Sequence, residues 1–112
     1  MKFGLKETTI DKINSVFENF SEIEKVIIYG SRAKGNFRPG SDIDITLVGK
    51  NIQYSKLSKI NIAIDDLNTP YLFDISIFEK LNSPDLEEHI NRVGQIFYIK
   101  KEDNTRPNEL WS

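Results

Sequence analysis

The period of hydrophobic positions changes several times along this chain, and each change marks an element. After Thr8 and Thr9, either of which can cap a helix, Ile10, Ile13, Val16, Phe17 and Phe20 recur at helical spacing. Val26-Ile27-Ile28-Tyr29 is a short apolar strand that stops at Gly30. A turn or helix start follows, then a loop carrying Pro39-Gly40. From Asp42 to Val48 the residues alternate as in a strand. Leu57, Ile60, Ile64 and Leu67 mark a helix over Tyr54 to Leu67, broken by Asn68-Thr69-Pro70. Tyr71 to Phe78 reads as another strand. Ser83 and Pro84 open a last helix as cap and first position; Leu86, Ile90 and Val93 form its inner stripe and Gly94 ends it. Ile96 to Ile99 is a final short strand. The order α-β-α-β-α-β-α-β predicts an α/β (α+β) domain, a short mixed sheet with helices packed mainly on one face. The other face is then partly solvated or carries a site. Residues 1–100 read as one domain and 101–112 as a polar, frayed tail that contains Trp111, a loose end or a small anchor for a partner.

Composition narrows the function classes. A chain of 112 residues is one domain with a modest core. A net charge of −2 argues against a dedicated nucleic-acid binder, which carries a basic excess. Cysteine is absent, so disulfides and thiolate metal sites are excluded, and one histidine cannot build a zinc site alone. No apolar run approaches the roughly 20 residues that span a bilayer, and the N-terminus lacks the order of a signal peptide. The compartment expected is the cytoplasm.

The chemistry concentrates in Gly30 to Asp44, GSRAKGNFRPGSDID. A strand that runs into Gly-Ser and a helical turn points backbone N–H groups at whatever lies above the turn. Gly30 permits close approach of a phosphate, Ser31 adds a hydroxyl donor, and the turn's dipole favours an anion. Arg32 and Lys34 can supply charge. The two common phosphate signatures are absent: no Gly-Lys-Ser/Thr closes a P-loop, and no GxGxxG occurs. Taken alone, a Gly-Ser pair is most often a structural turn. Ten residues on, Asp42 and Asp44 sit one residue apart at a strand start, so both face one side while Ile43, Ile45 and Leu47 face the other. Two such carboxylates repel unless a cation lies between them, and magnesium is the hard, oxygen-seeking ion that shares its shell with phosphates. An isolated pair of this kind is more often a solvated turn. Asp74 stands mid-strand in Tyr71-Leu72-Phe73-Asp74-Ile75-Ser76-Ile77, where aspartate is disfavoured and a half-buried one needs a partner. If its strand neighbours that of Asp42, three carboxylates converge, the layout for two ions about 4 Å apart clamping a phosphoryl displacement. One carboxylate can also take the proton of an attacking hydroxyl. Phosphate turn, metal strand and third acid together point to chemistry on a nucleoside triphosphate.

Gly30-Ser31, ten residues, Asp42-x-Asp44 and a later lone Asp74 resemble the polymerase-β-like nucleotidyltransferase superfamily. The string GSRAKG…SDIDI is similar to its minimal nucleotidyltransferase (MNT) branch, encoded beside HEPN-domain partners. The resemblance spans Ile10 to Ile99. It implies the nucleotidyltransferase fold, with Gly30 and Ser31 holding the triphosphate of ATP. Asp42 and Asp44 would bind a two-ion Mg2+ site, Asp74 would complete the triad, and Arg32 and Ser41 would line the phosphates. Lys34 stands where the branch often has arginine, and no role is carried to it. The resemblance further implies an antitoxin that adenylylates a tyrosine of a HEPN ribonuclease, in a complex with that partner. Nothing after about residue 100 is expected to form an acceptor domain, so another chain or a shallow surface would hold the acceptor. The chain lacks the Arg-x4–6-His motif of the HEPN partner itself. Two other functions stay open: a non-catalytic nucleotide-binding inhibitor of the partner, and a small-molecule transferase of the aminoglycoside-modifying type. His89 reads as a helix-flank residue. Phe37 can stack on a base, touch a partner or pack its own loop.

Overall fold

Apolar residues at alternate positions give three of the four strands one side to bury, and the chain closes a sheet on those sides. The computed structural model describes residues 1–101. Residues 102–112, with Trp111, lie outside the described part. The elements are α1 (Glu7–Glu18), β1 (Lys25–Tyr29), α2 (Ser31–Lys34), β2 (Ile43–Val48), α3 (Tyr54–Asp65), β3 (Phe73–Ile77), α4 (Pro84–Val93) and β4 (Gln95–Ile99), with a 3-10 turn at Phe78–Lys80. This is the predicted order. No helix among the described residues is long and apolar enough to cross a membrane.

The sheet runs β3-β2-β1-β4. β1 pairs antiparallel with β2 and with β4, and β2 pairs parallel with β3. A parallel neighbour needs a long crossover, and α3 supplies it. Val26, Ile28, Ile43, Ile45, Leu47 and Ile77 line the buried side under Ile13, Val16 and Phe17 of α1 and Ile60 and Ile64 of α3. A register shift between Val26 and Ile27 opposite β4 lets the consecutive Phe97 and Tyr98 both turn inward, where each meets the Phe17 ring, at 6.4 and 5.6 Å.

Two local expectations shift. α1 begins at Glu7, ahead of Thr8 and Thr9; Lys6 holds the cap position without a side-chain bond, and Glu7 sits at the positive end of the helix. α4 begins as expected, with the Ser83 hydroxyl accepting from Leu86 N–H at 3.2 Å and Pro84 in the first turn. Its Gly94, however, has an extended backbone and not a left-handed one. Glycine is needed there for space, because a Cβ would strike the Ile90 carbonyl and Ile27. That contact puts α4 on the opposite face from α1 and α3. Ile27 and Tyr29 point away from the main core, and Ile90, though buried, is not part of it.

Candidate active site

The second face of the sheet carries the polar residues. Asp44 of β2 lies in register with Asp74 of β3 on one side and with Tyr29 of β1 on the other. Neighbours in register share a face, so the two carboxylates stand side by side. One step along, Ser76 donates to Thr46 at 2.9 Å, closing a hydroxyl pair beneath them. Asp42 is exposed just ahead of β2, and Asp74 is exposed on the edge strand. Burial, then the charges of Asp74 and Asp42, hold the Asp44 carboxyl above the ordinary aspartate value of 3.8.

The Gly30-Ser31 turn meets this row at Asp44. Gly30 has φ 76° and ψ −157°, a conformation that only glycine adopts readily. A Cβ at Gly30 would also collide with Asp44 Oδ2. Glycine is therefore required twice, by the turn and by the carboxylate packed against it. The first bond of α2 runs from Lys34 N–H to the Gly30 carbonyl at 3.1 Å. The amides of Ser31, Arg32 and Ala33 precede it and have no partner within the turn. Half-buried Ser31 and the row of acids thus share one end of the sheet.

Arg32 and Ser41 are placed differently. The Arg32 side chain is buried and donates to three backbone carbonyls, of Ser41 through Nε (3.0 Å), Phe3 through Nη1 (2.9 Å) and Pro39 through Nη2 (3.2 Å). Ser41 Oγ accepts from Arg38 N–H at 2.9 Å, which leaves its own proton free to donate. Lys34 is exposed. Phe37 is half-buried against the Arg32 guanidinium, so of its expected roles loop packing is the one seen.

The residue that sequence reading missed is Tyr29. It is buried at the end of β1, directly before Gly30, and its ring meets the edge of His89 from α4 at 6.4 Å. Burial pushes its phenol upward, a hydrogen bond with Ser76 opposes this in part, and the charges of Asp74 and then Asp44 add to the rise. A tyrosine closing the apolar run of β1, next to the Gly-Ser pair, was the available signal.

A divalent ion fits the donor set. Hard oxygens line the row, and the charges of Asp74 and Asp42 add to burial in raising the proton affinity of Asp44, a repulsion that a cation relieves. Among the described residues no three His, Cys, Asp or Glu side chains close around an ion by themselves. Any ion held here would complete its shell with substrate phosphates and water, as magnesium does.

Among solved structures, a toxin–antitoxin with AMP-PNP superposes with TM-score 0.60 at 20% identity, covering 88% of this chain and 77% of that one. A double Asp→Glu mutant of the toxin–antitoxin MntA-HpeT gives 0.62 at 16% identity with the same coverage. A Sulfolobus solfataricus protein described as a nucleotidyltransferase gives 0.52 at 23%, covering 81% and 77%. A search of curated proteins finds no match. Residues 11–103 match the family described as Polymerase beta, Nucleotidyltransferase, and the chain belongs to that family of nucleotidyltransferases.

Proposed function

We propose that this chain moves AMP from ATP to a tyrosine hydroxyl of a HEPN-domain toxin and so acts as its antitoxin in the cytoplasm. Residues 1–100 are the catalytic domain in this reading. The observation that carries it is the packing of Gly30 against the Asp44 carboxylate, with Asp74 beside it in register. Phosphate turn and acidic row thereby meet at one place, which is what a transfer at a nucleotide phosphorus requires. Two of the solved structures that share this fold are toxin–antitoxins, one of them with the ATP-like AMP-PNP.

The residues divide the work as follows. The amides of the first turn of α2 and the Ser31 hydroxyl hold the phosphates, with Ser41 able to donate from the far side of the loop. Asp42, Asp44 and Asp74 would hold magnesium, in a two-ion arrangement that neutralises charge on the transferring and leaving oxygens. The partner's hydroxyl oxygen attacks the α-phosphorus, the new O–P bond forms as the bond to the β-phosphate bridging oxygen breaks, and pyrophosphate leaves. The exposed Asp74, on the open edge of the sheet, takes the hydroxyl proton on its carboxylate.

Incubating the purified chain and its partner with labelled ATP and magnesium tests this. Label is expected on a partner tyrosine and is expected to vanish with Asp42→Asn plus Asp44→Asn. Label on a small aminoalcohol, and never on protein, would establish the small-molecule transferase instead. Neutralisation that survives the double substitution would make the chain an inhibitor by binding.

A further inference from the structure

Arg32 has surroundings unlike those of a substrate-binding cation. It is 2% exposed, and among the described residues no carboxylate lies within ion-pair distance of it. A buried charge without a counter-ion is costly unless every donor is occupied. Here carbonyls and rings take that role. Nε and the two Nη atoms each reach a different carbonyl, and the guanidinium lies over the Phe37 ring at 5.2 Å and the Tyr71 ring at 4.9 Å. A flat fork of donors with two usable faces is what arginine offers and lysine does not.

The partners of this side chain belong to the segments that deliver the site. Arg32 itself follows Ser31 in the phosphate turn. Pro39 and Ser41 end the loop that leads directly to Asp42. Tyr71 lies three residues before Asp74 in the approach to β3. Phe3 belongs to the N-terminal Lys2–Leu5 bridge, and Gly4 in that bridge packs so closely that a Cβ there would strike Phe37. One side chain thus ties the phosphate turn to the approaches of both acid-bearing strands.

We propose that Arg32 is a positioning residue that sets the separation between the phosphate turn and the metal-binding acids, without touching the nucleotide. The inference rests on the site assignment under Proposed function, yet its signature can be read without any transfer activity. Hydrogen exchange of the 36–42 amides, among them Arg38 N–H and Ser41 N–H, reports the loop directly. Arg32→Lys keeps the charge and loses the fork. The expectation is faster exchange confined to this loop and the Lys2–Leu5 bridge. For transfer, kcat should fall by about 100-fold, the cost of misplacing reacting groups by about 1 Å, with KM for ATP changing less than about threefold. Lysine should rescue no better than glutamine. A direct phosphate contact predicts the reverse: Arg32→Gln weakens ATP binding by about tenfold or more, lysine restores most of it, and loop exchange is unchanged. That pattern overturns the proposal. Should the Arg32 variants fail to fold, Phe37→Ala removes one ring face and leaves all three hydrogen bonds. It should loosen the same loop amides and lower kcat in the same sense, and wild-type exchange with wild-type kcat would also overturn the proposal. Loss of partner labelling in every protein, wild type included, counts against the proposed reaction and leaves the exchange result to decide Arg32.

Discussion

The two faces of the sheet are built from the same strands and obey opposite rules. On the core face, Ile28, Ile43, Ile45 and Leu47 are fully buried and carry no polar atom in their side chains. On the other, the residues between them, Tyr29, Asp44 and Thr46, meet Asp74 and Ser76 in a row of oxygens under partial cover from α4. The first face gains stability from every methyl it hides. The second face places two carboxylates in register, where burial and then the charges of Asp74 and Asp42 raise the cost of ionising Asp44. The core face therefore holds the strands in a register that the acidic face, left to itself, would oppose. Repulsion of this kind is what a bound cation can relieve.

The largest expected effect separates the faces by function. Asp42→Asn with Asp44→Asn should lower transfer by about a thousandfold or more, in line with losing the charge that stabilises a transition state. The melting temperature without magnesium should be no lower than wild type. A large fall in melting temperature, measured by circular dichroism in chelator, would show that these acids hold the fold. The mirror experiment is Ile45→Ala on the core face of the same strand. It should cost about 2–5 kcal/mol of stability while the protein that remains folded keeps its transfer rate. Urea unfolding beside an activity assay reads both, and an activity loss exceeding the unfolded fraction would break the division of labour.

A smaller effect concerns pH. The folded state raises the Asp44 carboxyl above its ordinary value, so it binds that proton more tightly than the unfolded chain does. The penalty is absent well below 3.8, sets in as pH rises through the raised folded value, and is complete at neutral pH. Asp44→Asn should therefore melt a few degrees above wild type at pH 7 in chelator, with the gap closing as pH falls towards 3. A gap that widens in acid would reverse the sign of the argument. The smallest effect tests the cover over the acidic face. Ser83→Ala removes the hydroxyl that accepts from Leu86 N–H and should cost about 1 kcal/mol. Exchange should rise in α4 and around Tyr29 while the Ile43–Leu47 amides stay protected. Uniform loosening of the whole sheet would mean that the faces are not separable.

Much of this molecule is legible along one dimension. The element order, the Ser83 cap and the alternation that sends Asp42 and Asp44 one way and Ile43 and Ile45 the other all depend on residues a few positions apart. The meeting of Gly30 with Asp44 also follows from neighbours in sequence, since a strand, a turn and a returning strand can pair in only a few ways. The roles of Asp42, Asp44, Asp74, Gly30, Ser31 and Ser41 remain proposals that the placement supports. Other features depended on contacts between distant segments. That β3 would lie parallel to β2, with Asp74 opposite Asp44 and not a residue away, was settled by the α3 crossover and by the fit of Ile75 and Ile77 to the core. The turn of Phe97 and Tyr98 inward together needed the irregularity opposite β1. The position of α4 on the acidic face came from the fit of Gly94 against Ile27. Arg32 shows the difference most plainly. In sequence it is a cation after Gly-Ser and reads as a phosphate ligand. In space, carbonyls 7, 9 and 29 residues away surround it, and no local pattern encodes their convergence. Local periodicity determines which side a residue faces, whereas what it meets there is decided by packing between segments that the chain brings together only on folding.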